Sequence, residues 1–428
     1  MIRVLFVTPS ELSSGEAVTA LHMAERVVRR GGRCAVLASP FTAALVESRL
    51  GSLVTRLTSD RKGNQALWDT ALRDLRPDAV VFADYPLLFF SNGITPLADD
   101  RWVASLESID ALPITLDHLG YAQRVMRVPF GPPHLSMHAE VTPALPPRMG
   151  VLLPCPMNEP TAVAGRHGLP FRYWDVPLPG GSSRRERTGG ARQQDGRLLV
   201  VHTTPNWAWR IARRWGLPHY RALSELLQYW FTGLGAPVTV VSVNNGELLT
   251  ATETATDVRI VNSGVLPPDE YERLLAAADL LITENAVSVT IGRAACATLP
   301  VALLHNSRRL PDILDSADSE TRRLVLAMER ARLGAVFRFE AFPIWSADDV
   351  EELGLFRENS VTSTFVRAEL FGGETTRRQL TALLTDPETR ADLRDRQREY
   401  IARVAALPDA SEVLASVLSA TMDSRCAP

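Results

Sequence analysis

Lysine is almost absent from this chain: of 46 basic residues among 428, only Lys62 is not arginine. We read this first as the codon bias of a GC-rich, actinobacterial-type genome, and only second as a choice of anion-binding side chains. Cysteine is also sparse. Cys34, Cys155, Cys296 and Cys426 lie far apart, with no C-x-x-C pair and no histidine at metal spacing, which argues against a disulfide scaffold or zinc site and for a reducing cytoplasm. No run approaches the roughly 18 apolar residues of a spanning helix. The opening Met1-Ile-Arg-Val-Leu-Phe-Val-Thr-Pro lacks the parts of a secretory leader, so the expected location is cytoplasmic, without membrane association. Nor is there an excess of either charge: 46 Lys+Arg against 49 Asp+Glu gives a net charge of −3 and no global attraction to nucleic acid or anionic lipid. G-x-x-x-x-G-K-[ST], G-x-G-x-x-G, H-E-x-x-H, G-x-S-x-G and Asp-x-Asp are all missing, which weakens kinase, ordinary dehydrogenase, zinc protease and esterase readings.

What is present is a soluble globular composition, 46% hydrophobic and 22% charged, at a length that suggests two domains. Residues 2–8 (IRVLFVT) form a buried-strand run, followed by a Pro/Ser/Gly loop, a helical pattern from about 17 to 30, Gly31-Gly32 and a second strand at 33–38. Strand, helix and strand within that length require a parallel βαβ unit. Further strands end at Asp84 and at Asp117-His118, on the carboxyl edge where such sheets bind ligands. Residues 176–196 are rich in Gly, Pro, Ser and Arg, including Arg184-Arg-Glu-Arg187, and read as a linker. A second α/β series follows, with strands at 198–202, 237–243, 258–261, 280–283 and 301–304. Helices are expected at 220–234, 268–278 and 290–297, and helical tails at 375–384 and 387–405. The fold class expected is α/β, with two doubly wound Rossmann-like domains.

The stretch Asn262-Ser-Gly-Val-Leu-Pro-Pro268, a helix, and then Ala278-Asp-Leu-Leu-Ile-Thr-Glu-Asn-Ala-Val-Ser-Val-Thr-Ile-Gly-Arg-Ala-Ala-Cys-Ala-Thr-Leu-Pro300 resembles the donor-binding half of GT-B glycosyltransferases. Gly264-Val-Leu-Pro267 matches that family's turn, Asp279-Leu-Leu-Ile its strand, and Thr290, Ala294 and Pro300 its later positions. The paired histidines become Glu284-Asn285, the glycines Ala286-Val287, and the acidic residue that holds the sugar becomes Arg293. The resemblance implies an acceptor domain at 1–175, the linker at 176–196, a nucleotide-sugar domain at 197–374 and C-terminal helices at 375–428, the two domains facing across a cleft. Specific letters agree only around 262–304.

At the donor site, a helix starting near Ser288-Val289-Thr290 would offer free backbone N–H groups and its positive end to a diphosphate, unless Ser288 and Thr290 serve only as caps. Arg293 would add a charge-assisted bond to a phosphate oxygen. Thr203 and Thr204, after the domain's first strand, would reach the same phosphates or form an ordinary turn. Val265 and Leu266 would flank the base, and Glu284 is either a sugar-hydroxyl acceptor or a solvated loop acid. Trp207 and Trp209 are candidates for stacking or packing, and the tract 337–345 for core or acceptor cleft.

Inverting transfer needs a general base. The first loop contains no histidine, and Glu16 in Ser13-Ser-Gly-Glu16 is its first candidate, ahead of Glu11, with a helix-dipole role as its alternative. Asp84, Asp117 and His118 are the other candidates, either as base or acceptor ligands or as structural groups. The resemblance implies transfer from a UDP- or dTDP-linked sugar to a small-molecule acceptor in natural-product biosynthesis, with no metal, no other cofactor and an inverting outcome. The acceptor is an aglycone, an aminocyclitol-like sugar or a nucleobase, the last as in cytosylglucuronic acid synthases. A homodimer is compatible with this reading. Two rivals stand beside it: a catalytically silent nucleotide-binding or regulatory protein on the same scaffold, and a sugar epimerase.

Overall fold

The computed structural model describes residues 1–9, 14–88, 100–118, 126–129, 138–141, 145–160, 168–174, 196–204, 218–244, 246–250, 257–307, 310–331 and 359–426. Glu11, Trp207, Trp209, the tract 337–345 and all but the last residue of 176–196 lie outside these described residues. The chain divides into two compact units, one comprising Met1–Val125, Thr142–Val176 and Arg403–Pro428, the other Met126–Val141 and Pro177–Ala402.

In the first unit the strands are β1 (Arg3–Thr8), β2 (Arg33–Ala38), β3 (Val54–Arg56), β4 (Ala79–Phe82) and β5 (Leu112–Leu116). An antiparallel hairpin, β6 (Met126–Pro129) and β7 (His138–Val141), falls to the second unit, and β8 (Gly150–Cys155) and β9 (Leu169–Arg172) return to the first. The sheet order is β3-β2-β1-β4-β5-β8-β9, parallel throughout. β1, β4 and β5 are almost wholly buried, as expected of continuous apolar runs with helices on both faces. On one face Trp68 stacks on Trp102 with ring centroids 4.6 Å apart, and its indole N–H is satisfied by Ser105 Oγ at 2.9 Å.

The second unit repeats the plan with β10 (Leu198–Thr203), β11 (Val238–Val243), β12 (Val258–Asn262), β13 (Leu280–Thr283), β14 (Val301–His305) and β15 (Val366–Glu369), in the order β12-β11-β10-β13-β14-β15, again all parallel. Tyr220, Trp230 and Phe231 of the helix Pro218–Phe231 fill its core beside Val238, Ile260 and Leu280.

The same device sets the register of the central strands in both units. Asp78, just before β4, accepts the Arg3 backbone N–H at 2.8 Å, and Asp279, just before β13, accepts that of Leu199 at 2.9 Å. Each aspartate also sends its own N–H back to the carbonyl of the residue it holds, at 2.8 and 2.7 Å. The aspartate of Asp279-Leu-Leu-Ile thus works at the amino edge of the sheet, opposite the edge where ligands bind.

The chain after Arg403 packs into the first unit through Asp409. Buried to 2% side-chain exposure, Asp409 pairs with Arg30, lies 3.8 Å from Arg26 and accepts the N–H groups of Ser411 and Glu412 at 2.8 and 3.0 Å. Glu412 accepts the Asp409 N–H at 2.8 Å, completing a capping box at the start of the helix Ala410–Cys426. Asp409→Ala removes the cap and the buried carboxylate that faces Arg30 and the largely buried Arg26. The expected cost to the first unit is about 2–4 kcal/mol, read as a lowered midpoint in urea unfolding followed by circular dichroism. An unchanged midpoint would show that the final helix is not anchored there.

Candidate functional site

In the first unit the strand order reverses direction between β1 and β4, the junction where open parallel sheets hold ligands at their carboxyl edge. Glu16 stands there, in the first turn of the helix Gly15–Arg29, where the helix's positive end favours a carboxylate. His118, two residues past β5, is buried and places Nε2 3.0 Å from Thr19 Oγ1 on that helix. Thr19 donates its own proton to the Gly15 carbonyl at 3.2 Å, so His118 is the donor in their contact. Burial lowers the His118 pKa, while the charge of Glu16 acts in the opposite direction. Although residues 9–16 contain no histidine, the fold brings one to the same helix from the end of β5.

Asp84 and Asp117 reach this edge too, but they are only 4% and 0% exposed. The Asp117 backbone is built into the sheet, its N–H bonded to Leu152 O at 2.8 Å and its carbonyl to Asn158 Nδ2 at 3.0 Å. Of the three carboxylates, Glu16 alone keeps partial exposure. Its Oε2 is buried and has no hydrogen-bond partner among the described residues.

In the second unit the order reverses between β10 and β13. Thr283 stitches the two strand ends together, its hydroxyl donating to Thr203 O at 2.8 Å and accepting the Asn285 N–H at 3.0 Å. Glu284 is not a solvated loop acid. Its side chain is fully buried, with Oε2 2.9 Å from Nε2 of the equally buried His202. His202 Nδ1 in turn lies 3.0 Å from Ser242 Oγ. Sequence reasoning passed over His202 because it closes the run LLVVH as an ordinary strand residue; the available signal was a lone polar side chain at the carboxyl end of an otherwise apolar strand.

Tyr271 was missed as well. Its partly buried phenol donates to Thr290 Oγ1 at 3.3 Å, tying the helix Pro268–Ala277 to the start of the helix Val289–Cys296. Burial pushes this phenol up to about 12, against the opposing pull of Thr290 and Arg293.

Two expectations for this edge need correction. The N–H groups at the helix start are not all free: Ser288 N–H goes to Asn285 O, Thr290 N–H to Ser288 Oγ and Ile291 N–H to Ser288 O, and just before them Val287 N–H goes to Asn285 Oδ1. Ser288 is thus the cap, because its hydroxyl and carbonyl satisfy the first turn from within. Arg293, 4% exposed, is committed to Glu272 at 2.7 Å and lies with its guanidinium 5.7 Å from the Tyr271 ring centroid. A phosphate would have to compete with Glu272 for it. Thr204 is likewise engaged, its N–H with Asn244 Oδ1 at 3.0 Å and its hydroxyl with Tyr220 OH at 3.1 Å. In the turn after β12, Gly264 takes a φ of +70°, which glycine adopts without strain, and Val265 projects with 52% exposure beside the partly buried Leu266. Asn285 and Val289 sit on the same edge, Asn285 partly exposed and Val289 buried.

Among the described residues no three His, Cys, Asp or Glu side chains converge as a metal site requires, and no helix is long and apolar enough to cross a membrane. The profile described as "Family of unknown function (DUF6365)" matches residues 23–422, so the chain belongs to that family. No curated protein matches the sequence. Among solved structures, the chain is similar to the spinosyn forosaminyltransferase SpnP, with a TM-score of 0.52 and 15% identity over 98% of this chain and 99% of that one. It is also similar to Arabidopsis thaliana UGT89C1, solved with UDP-L-rhamnose, with a TM-score of 0.51 and 13% identity over 98% of each chain. At such identities the likeness establishes the fold, which is GT-B.

Proposed function

We propose that this member of the family transfers a sugar from a nucleotide diphosphate sugar to a small-molecule acceptor, without a metal and with inversion. The second unit takes the donor along the edge formed by Thr203, Thr204, Asn285, Ser288, Val289 and Thr290, with Gly264, Val265 and Leu266 flanking the base and Glu284 beneath. Arg293, held by Glu272, supports this edge through Tyr271. The first unit takes the acceptor, with Glu16 as base and His118 holding the helix that carries it. As the acceptor oxygen, or the ring nitrogen of a nucleobase, bonds to the sugar's anomeric carbon, its proton passes to the Glu16 carboxylate, and the bond from that carbon to the diphosphate breaks with its electron pair on the leaving phosphate. The positive end of the helix Val289–Cys296 would stabilise that leaving charge. The acceptor is a natural-product aglycone, aminocyclitol-like sugar or nucleobase.

The observation that carries the reading is the buried Glu16 carboxylate oxygen at the first unit's ligand edge, which has no hydrogen-bond partner among the described residues. Buried polar atoms are satisfied in most folds, so an exception at such a place calls for a ligand group. One observation favours a silent, nucleotide-binding protein instead: the self-satisfied helix start and the Arg293–Glu272 pair leave fewer groups aimed at a diphosphate. Calorimetric titration with UDP, dTDP and GDP, with and without magnesium, tests the donor assignment. Saturable binding of one of them without metal is expected. Folded protein that binds none of the three would overturn the proposal.

A further inference from the structure

The carboxyl ends of β14 and β15 carry a group of side chains that the proposed donor site leaves unused. His305 and Glu369 close the two strands and are partners in their register. The backbone there is pinned: His305 O accepts the Leu370 N–H at 2.7 Å, and Glu369 O accepts the Gly372 N–H at 3.0 Å. Ser307, two residues past β14, holds the Glu369 carboxylate at both oxygens, donating its N–H to Oε1 at 2.9 Å and its hydroxyl proton to Oε2 at 2.7 Å. His305 places Nδ1 3.5 Å from the same Oε2, an electrostatic contact rather than a hydrogen bond. Its side chain keeps 30% exposure and that of Glu369 15%, and His305 Nε2 bonds no described residue.

The chemistry of these groups selects a kind of ligand. A carboxylate that accepts two hydrogen bonds keeps lone pairs for further donors and has no proton to give. Burial holds the His305 imidazole below its ordinary pKa, Glu369 opposes that shift, and Arg367, two residues earlier on β15, adds to it. A phosphate oxygen is the wrong partner here, because it meets a carboxylate and an uncharged ring. A hydroxyl suits both groups: it donates to the carboxylate, and it gives or takes a proton at Nε2 whichever ring nitrogen is protonated.

Strand order gives these groups a place along the ligand. The sheet runs β12-β11-β10-β13-β14-β15. In the donor site proposed above, the base lies at the turn after β12 and the diphosphate at the ends of β10 and β13. A nucleotide diphosphate sugar laid out in that direction brings its sugar next, toward β14 and β15, one and two strand spacings of roughly 4.8 Å farther on. We propose that His305 and Glu369 bind hydroxyls of the donor's sugar, with Ser307 setting the carboxylate. None of the three lies in the stretch 262–304, whose letters carry the family resemblance. The proposal rests on the donor site above.

The test is calorimetry of the full chain with whichever of UDP, dTDP and GDP the wild type binds and with the glucose- and rhamnose-linked forms of that diphosphate, alongside His305→Phe and Glu369→Gln. Each variant is expected to weaken at least one sugar-linked form about fivefold to tenfold, the worth of one hydrogen bond, and to leave the bare diphosphate within about twofold. Ser307→Ala should weaken the same form by less, since the Ser307 N–H still holds the carboxylate. Retained diphosphate binding also shows that a variant has folded, and Glu369→Gln carries the test if His305→Phe does not fold. Equal weakening of the bare diphosphate and its sugar-linked forms would give these residues a structural part only and overturn the inference. Unchanged affinity for all three ligands in both variants would overturn it too, and in either case the donor site would stand. A wild type that binds no diphosphate would remove the donor site, and this inference with it.

Discussion

Glu16→Gln is expected to lower kcat by about 10²–10⁴-fold while nucleotide affinity stays unchanged, because the substitution removes a proton acceptor and little else. The residue lies in the first unit, and none of the donor edge is built from it. Glutamine keeps the size of the side chain and its place in the first turn, so the helix Gly15–Arg29 should persist. A silent scaffold predicts no turnover in either protein, and an epimerase predicts donor consumption without acceptor. The same variant changes His118. Burial lowers that imidazole's pKa and the Glu16 charge partly restores it, so removing the charge should shift the His118 titration to lower pH, visible in its ring proton resonances. The sign for stability follows. A histidine with a depressed folded-state pKa contributes fully above its unfolded value of about 6.5, and that contribution is lost as pH falls and the unfolded chain takes up the proton. Glu16→Gln should therefore be more acid-labile than the wild type below about pH 6. An unmoved His118 resonance would mean that the two groups do not share a site.

The fold could be read in the sequence where the signal was strong and local. β1, β2, β5 and β13 are continuous apolar runs, and the helix Pro387–Ala405 begins at a proline and keeps helical composition throughout. Edge strands were harder to recognise. Val54-Thr-Arg56 is three residues long and Val366-Arg-Ala-Glu369 alternates in polarity as an edge strand does, while Gly150-Val-Leu-Leu-Pro-Cys155, an inner strand between β5 and β9, contains a proline that argues against a central strand. In the site, position was legible and partnership was not. Glu16, His118, Thr203, Glu284 and Ser288 were placed on carboxyl edges because strand ends can be read from the letters. That Arg293 would be taken by Glu272, and Glu284 by His202, depends on contacts across 21 and 82 residues of sequence, which no periodicity encodes.

His202→Leu is expected to destabilise the second unit by about 3–5 kcal/mol, the usual cost of removing one partner from a buried pair. Nothing else in the change is costly, since leucine is of similar bulk and the site is apolar on the sheet side, where Val201 and Ile282 are buried. The cost arises because Glu284 stays behind with its side chain wholly out of water and loses its imidazole donor, while Ser242 loses the acceptor for its proton. For a unit of this size, the melting temperature should fall by roughly 10 °C. The double variant His202→Leu with Glu284→Met should recover much of the loss, because replacing both members of a buried pair with apolar groups is often neutral. If the double variant proved as unstable as His202→Leu, the cost would lie in packing at the end of β10.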